Sequence, residues 1–154
     1  MNIASSTYWV LVADGGTARI LEMRRKPAEF REVLKLESES RHLPTRDLVS
    51  DASGRSFHAQ GPSGHSKRPR SDAHDLAEQA FSKKLVSKLE HAANMRVFGQ
   101  LVIFADPKTL GRLRRHMSKT LTARVTDELN LDLVGIPLNS LENRVRAKLG
   151  WSAR

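Results

Sequence analysis

No cysteine occurs in the sequence, and that one absence removes disulfide frameworks, thiolate zinc sites and cysteine nucleophiles together. Aromatic residues make up only 5% of the chain, so a core must be built chiefly from Leu, Val and Ile. No apolar run approaches the roughly 18–20 residues needed to cross a bilayer. The longest, residues 9–13 and 101–105, are the length of strands. The opening residues, 1–7, are polar and lack the basic and apolar regions of a secretion signal, so a cytoplasmic protein with no membrane partner is expected. Acid is also in deficit: 17 Asp and Glu stand against 26 Lys and Arg, leaving a net charge of +9. Such an excess concentrates anions at the surface and favours polyphosphate partners, most often nucleic acid.

The chain length of 154 residues fits one domain over 1–154. Residues 8–13 (Tyr-Trp-Val-Leu-Val-Ala) form a continuous apolar run closed by Asp14-Gly15-Gly16, which predicts a buried strand and a tight turn. Residues 17–23 supply the returning hairpin strand, and residues 30–36 alternate imperfectly as a third strand at an edge. From 38 to 73 the periodicity disappears in favour of Ser, Gly, Pro and Arg, predicting a long, basic, mobile loop. Asp75 and Glu78 look like a capping pair at a helix start, after which Ala77, Phe81, Leu85, Leu89 and Ala92 recur at helical spacing. Residues 101–105 form a second fully apolar strand, and Asp106-Pro107 opens a helix with Asp as N-cap. Leu110, Leu113 and Met117 are expected to face inward there, and Lys108, Arg112, Arg115, His116 and Lys119 outward. Residues 124–131 read as a last strand, and Leu138, Leu141, Val145 and Leu149 stripe a final helix stopped by Gly150. The order β-β-β-loop-α-β-α-β-α predicts an antiparallel meander followed by α/β crossovers, with helices packed on a mixed sheet of ribonuclease-H-like connectivity.

Three constellations bear on chemistry. Asp14 and Asp106 each follow an apolar strand directly. On adjacent parallel strands they would share one sheet edge, where open α/β sheets place ligands and two carboxylates can hold Mg²⁺ for phosphodiester hydrolysis. Against this, Asp14 begins a Gly-Gly turn, Asp106 caps a helix, and only Glu22 and Asp75 offer themselves as a third carboxylate. Asp14-Gly15-Gly16-Thr17 lacks the spacing of a phosphate-binding loop and precedes a strand, so a hairpin turn is expected. Four histidines (His42, His58, His65, His74) have spacings of no zinc motif, and neither a metal nor a cofactor is expected. The third constellation is the basic surface: Arg55, Gln60, Lys67, Arg68 and Arg70 in the long segment, with Lys108, Arg112, Arg115 and Lys119 near one helix. Arginine engages phosphate bidentately, and apart from Phe57 the loop lacks aromatics for base stacking. Backbone-led contact with structured RNA or the ribosome is therefore expected, in preference to catalysis. A protein-interaction module that folds its loop on an acidic partner is the alternative from another class.

Motifs along nearly the whole chain carry a family resemblance. They are Trp9-Val-Leu-Val-Ala-Asp-Gly-Gly-Thr-Ala-Arg-Ile20, Gly54-Arg-Ser-Phe57, Asp75-x-x-Glu78-x-x-Phe81-x-x-x-Leu85, Leu101-Val-Ile-Phe-Ala-Asp-Pro107 with Leu110-Gly111-x-Leu113-Arg114, and Asp127-Glu128-Leu129-x-x-Asp132-Leu133. Taken in order they resemble the bacterial family described as protein required for attachment to host cells. That family is similar in turn to the central domain of archaeo-eukaryotic release factors and Pelota. The resemblance implies a ribonuclease-H-like fold and a ribosome-contacting loop. The release-factor Gly-Gly-Gln is missing: Gln60-Gly61 and Gly54-Arg-Ser56 are the nearest material. Peptidyl-tRNA hydrolysis is therefore not implied.

Overall fold

The computed structural model describes residues 6–24, 29–39 and 69–151, the first three of the last stretch as backbone only. Strands β1 (Thr7–Ala13), β2 (Thr17–Arg24) and β3 (Glu29–Glu37) come first, followed by helix α1 (Pro69–Asn94) and strand β4 (Gln100–Ala105). Helices α2 (Pro107–His116) and α3 (Lys119–Arg124), strand β5 (Val125–Leu129) and helix α4 (Leu138–Leu149) complete the order. The sheet runs β3-β2-β1-β4-β5. β1–β2 and β2–β3 are antiparallel, while β1–β4 and β4–β5 are parallel. This is the expected ribonuclease-H-like mixed sheet, with the third strand at an edge as expected and largely exposed.

β1 and β4 read as unbroken apolar runs because both of their faces are covered. On one face Trp9, Leu11, Ala13, Leu101 and Ile103 pack with Phe81, Leu85 and Leu89 of α1, Leu110 and Leu113 of α2, and Leu121 of α3. On the other, Val10, Val12, Val102 and Phe104 meet Leu133, Leu141 and Val145 from α4 and its lead-in. That lead-in is held by the buried Arg19 of β2, whose Nη1 donates to the carbonyls of Val134 and Ile136 at 3.0 and 2.6 Å. α4 stops where expected: Gly150 sits at φ 72°, and Trp151 N–H donates to the Arg146 carbonyl at 2.8 Å, a Schellman closure that favours glycine.

The structure corrects three expectations. α1 begins at Pro69, so it takes the last positions of the expected 38–73 loop, and His74 with them. Asp75 and Glu78 therefore lie inside a helix and cap nothing at its start. The expected single helix around 107–119 is two: Met117 leaves the helical region, and Ser118 caps α3 by accepting from Leu121 N–H. Lys119 thus opens the second helix. The last strand is also shorter than 124–131, because α3 carries the chain through Arg124 before Val125 joins the sheet.

Candidate functional site

The parallel register pairs Ala13 with Ala105, so Asp14 and Asp106 leave the sheet side by side at the carboxyl edge of β1 and β4. Both carboxylates are already bound to backbone. Asp14 Oδ1 accepts from Gly16 N–H at 2.9 Å and Thr17 N–H at 2.7 Å, tying the hairpin turn. The peptide N–H groups that a phosphate would need are thereby directed at Asp14. Asp106 Oδ2 accepts from Thr109 N–H at 3.1 Å and Oδ1 from the Thr109 hydroxyl at 2.7 Å. Burial pushes the Asp106 carboxyl up, but the Thr109 hydroxyl and N–H, its own backbone N–H and the Arg112 charge outweigh it and hold it below the usual carboxylate range.

Neither expected third carboxylate completes a metal site. Glu22 pairs across from Trp9, five residues back along β1 from Asp14, a distance of roughly 17 Å at strand rise. It accepts from Trp9 Nε1 at 3.3 Å and from Arg31 at 2.9 Å. Asp75 is taken by Arg112 and Lys108, at 3.1 and 3.4 Å. Among the described residues no group of three or more His, Asp or Glu is placed to hold a metal ion.

Arg112 was expected to face solvent, but it is buried, with 4% of its surface exposed. It lies between α1 and α2 and reaches Asp75 at 3.1 Å and Glu78 at 2.8 Å. Glu78 in turn covers Gly15: a Cβ built on Gly15 would lie 2.2 Å from Glu78 Oε2 and 2.6 Å from its carboxyl carbon. The Asp14–Thr17 turn, α1 and α2 are thus locked by one chain of contacts, Gly15 to Glu78 to Arg112 to Asp75. A signal for it existed in the sequence, since Glu78 falls three before Phe81 and seven before Leu85, on the inward stripe of α1. An acid in that stripe requires a cation from a neighbouring element.

In the same helical layer most acids are engaged by neighbouring groups, while most cations are exposed. Residues 72–124 contain ten Lys and Arg against five Asp and Glu. Of the acids, Asp75 and Glu78 hold Arg112, Asp106 caps α2, and Glu90 accepts from the N–H and hydroxyl of Ser118, both at 2.8 Å. Lys83, Lys84, Lys88, Arg96, Arg115 and Lys119 are exposed, and no carboxylate partner is found for them among the described residues. Arg114 pairs with Glu128 at 2.8 Å yet keeps 60% of its side chain exposed, and Lys108 keeps 67%. Of the four expected α2–α3 contact residues, Arg115 and Lys119 are presented to solvent, Lys108 is loosely tethered, and Arg112 is withdrawn. Arg55, Gln60, Lys67 and Arg68 lie outside the described residues, and Arg70 is described only as helical backbone.

Gly111 interrupts the outer side of α2. A Cβ there would meet nothing within 4 Å, and its backbone is helical, so no turn or close approach within the described residues requires glycine. Glycine at a helix interior costs about 0.8–1 kcal/mol relative to alanine.

Beside the edge of the sheet, a cleft of about 350 Å³ lies between the end of β3 and α1, lined by Glu37, Ser38, Glu39, Ala77, Ala80, Phe81 and Lys84. No helix among the described residues is long and apolar enough to cross a membrane.

Comparison with known proteins places this arrangement. An uncharacterized protein of Rickettsia prowazekii (strain Madrid E) is 30% identical over 81 residues, 51% of this chain and 54% of that protein. The chain therefore spans about half the length of the curated relative it matches. Among solved structures, a non-polymerisable quadruple mutant of a ParM protein aligns with a TM-score of 0.53 at 10% identity, covering 92% of this chain and 48% of that one. An archaeal translation termination factor, aRF1, aligns at 0.49 and 10% identity, covering 94% and 42%. An archaeal actin homologue aligns at 0.47 and 10% identity, covering 97% and 50%. Likeness at this level describes the fold alone. The family model for protein required for attachment to host cells matches residues 9–145, nearly all of the described sheet and helices, and this chain belongs to that family.

Proposed function

We propose that this chain is a non-catalytic module that contacts structured RNA, with ribosomal RNA the first to test, through the solvent side of the α1–α3 layer. One observation carries the reading: in that layer four of the five carboxylates are engaged by Arg112, by Ser118 or as the α2 cap, while six cations stand exposed without carboxylate partners among the described residues. Unpaired surface cations are the groups that displace counterions from a phosphodiester backbone, whereas paired ones are already neutralised. The sequence adds Arg55, Lys67 and Arg68 ahead of α1, and Arg70 in its first turn. The family that its motifs resemble is similar in turn to release-factor central domains, and that makes the ribosome the first source of RNA to test.

The test is cosedimentation with ribosomes, and anisotropy with a labelled RNA duplex, between about 50 and 200 mM salt. Affinity should fall steeply with salt, and replacing Arg115 and Lys119 by Gln should flatten the slope by about one for each phosphate no longer engaged. Binding that ignores salt would overturn the reading, and salt-insensitive capture of an acidic protein would favour the interaction-module alternative. A second reading, metal-dependent phosphodiester hydrolysis by Asp14 and Asp106, rests on their adjacency in the β1–β4 register. Magnesium-dependent release of nucleotides that is abolished in Asp14→Asn would support it. Absence of any metal response in titration would remove it.

A further inference from the structure

We infer that Gly111 forms a phosphate-backbone docking notch on α2, a contact that rests on the RNA reading above and names where the strand lies closest. Gly111 sits in the interior of a ten-residue helix, without a positive φ and with open space where its side chain would project. The described part of the fold gains nothing from it and loses helix propensity. Glycine in such a place is accounted for when something outside approaches the helix backbone more closely than a Cβ allows.

The surroundings specify the visitor. On a helix surface the neighbours of position 111 are the residues three and four away on each side, here Pro107, Lys108, Arg114 and Arg115. Three of the four are cations. Lys108 and Arg114 are well exposed, and each is tethered to an acid on a different element, Asp75 and Glu128, which draws the two heads to opposite sides of the ridge. Arg115 has no carboxylate partner among the described residues. Position 111 therefore offers a gap in the outer side chains of α2, with three cationic residues as its helical neighbours. A narrow polyanion seated there would place a phosphate against the gap, where Arg115, which has no carboxylate partner among the described residues, is able to engage two oxygens at once. An acidic peptide supplies charge of the same sign, but its carboxylates are spread on flexible side chains and do not require close approach to the helix backbone.

The variant that tests this is Gly111→Ala, because the two roles of the residue move in opposite directions. Alanine should raise the melting temperature by roughly 2–5 °C through helix propensity. It should also weaken binding of a labelled RNA duplex by about 5–10-fold at fixed salt while leaving the salt slope nearly unchanged, since no cation is removed. Arg115→Gln is the comparison, with lower affinity and a shallower slope. If the unaltered chain binds the duplex with salt dependence, yet Gly111→Ala binds equally well and merely melts higher, the notch is wrong and the RNA reading survives. If the unaltered chain shows no salt-dependent binding, the RNA reading fails first and takes the notch with it. Poly-glutamate captured with the same Gly111→Ala weakening would overturn the phosphate assignment.

Discussion

The two ends of the parallel pair β1–β4 are organised by opposite chemistry. At the carboxyl end, acids turn inward: Asp14 closes a hairpin, Asp106 starts α2, and Asp75 and Glu78 share Arg112. At the amino end, cations and aromatics meet carbonyls. Arg124 donates to the Phe98 carbonyl at 2.9 Å and lies 6.0 Å from its ring, and that ring stacks on Trp9 at 4.8 Å. Arg96 closes α1, its N–H and that of Val97 returning to Ala93 and Ala92, both at 3.0 Å. The carboxyl edge of a parallel sheet is where ligands are expected, and it is crowded with carboxylates, but the observed contacts make it a structural lock. The cations without carboxylate partners among the described residues lie on the outer side of the helices.

If the lock is structural, breaking it should cost stability in proportion to how much of it fails. Arg112→Met removes the shared cation, leaving Glu78 unneutralised and Asp75 with Lys108 alone. Because those carboxylates are 46% and 35% exposed, water relieves part of the penalty, and a loss of about 2–3 kcal/mol in urea unfolding is expected. An unchanged midpoint would erase the distinction between the two ends. Next is Gly15→Ala, which pushes the Glu78 carboxylate away from Arg112, for about 1–3 kcal/mol. Pairing it with Glu78→Ala should recover much of the loss, a coupling read from the double-mutant cycle.

Asp106→Ala should cost about 1 kcal/mol at neutral pH as the α2 cap is removed. The folded carboxyl titrates below its unfolded counterpart, so its contribution is complete above about pH 4 and disappears as pH falls through the lower, folded value. The gap between parent and variant should therefore be flat from pH 7 to about 5 and narrow in stronger acid. A gap that persists unchanged at low pH would remove the charge from the cap. The smallest effect belongs to the other end and has the opposite sign. Arg96 holds φ 58° at the position of a Schellman closure that α4 fills with Gly150. Arg96→Gly should raise stability by about 0.5–1 kcal/mol, read as a higher urea midpoint.

What could be read in advance was what is local. Asp106-Pro107 announces a cap because its partners lie within one turn, and residues 8–13 and 101–105 announce buried strands by composition alone. The Gly150 stop was legible for the same reason. Arg112 was misplaced because its partners, Asp75 and Glu78, lie on a helix whose adjacency to α2 is a tertiary fact. The start of α1 was missed because its first turns, Pro69 to His74, contain no Leu, Ile, Val or Phe and so show no periodicity. The break at Met117–Ser118 was hidden by Leu110, Leu113, Met117 and Leu121, whose three- and four-residue spacing runs through it. Asp14 and Asp106 were correctly brought to one edge, because apolar runs buried on both faces select parallel neighbours.

The position of β1 also governs the order in which the chain can assemble. Its antiparallel partner β2 follows immediately, but its parallel partner β4 lies beyond α1 in the chain, and Tyr8 meets Trp151 edge-on at 4.7 Å only after α4 has formed. During synthesis the β1–β3 meander emerges with two water-averse faces bare, and the segments that shelter them arrive last. Nucleation must wait for distant pairing, so refolding is expected to be slow for a chain of this size, and nascent chains halted before β4 should be the ones that chaperones hold.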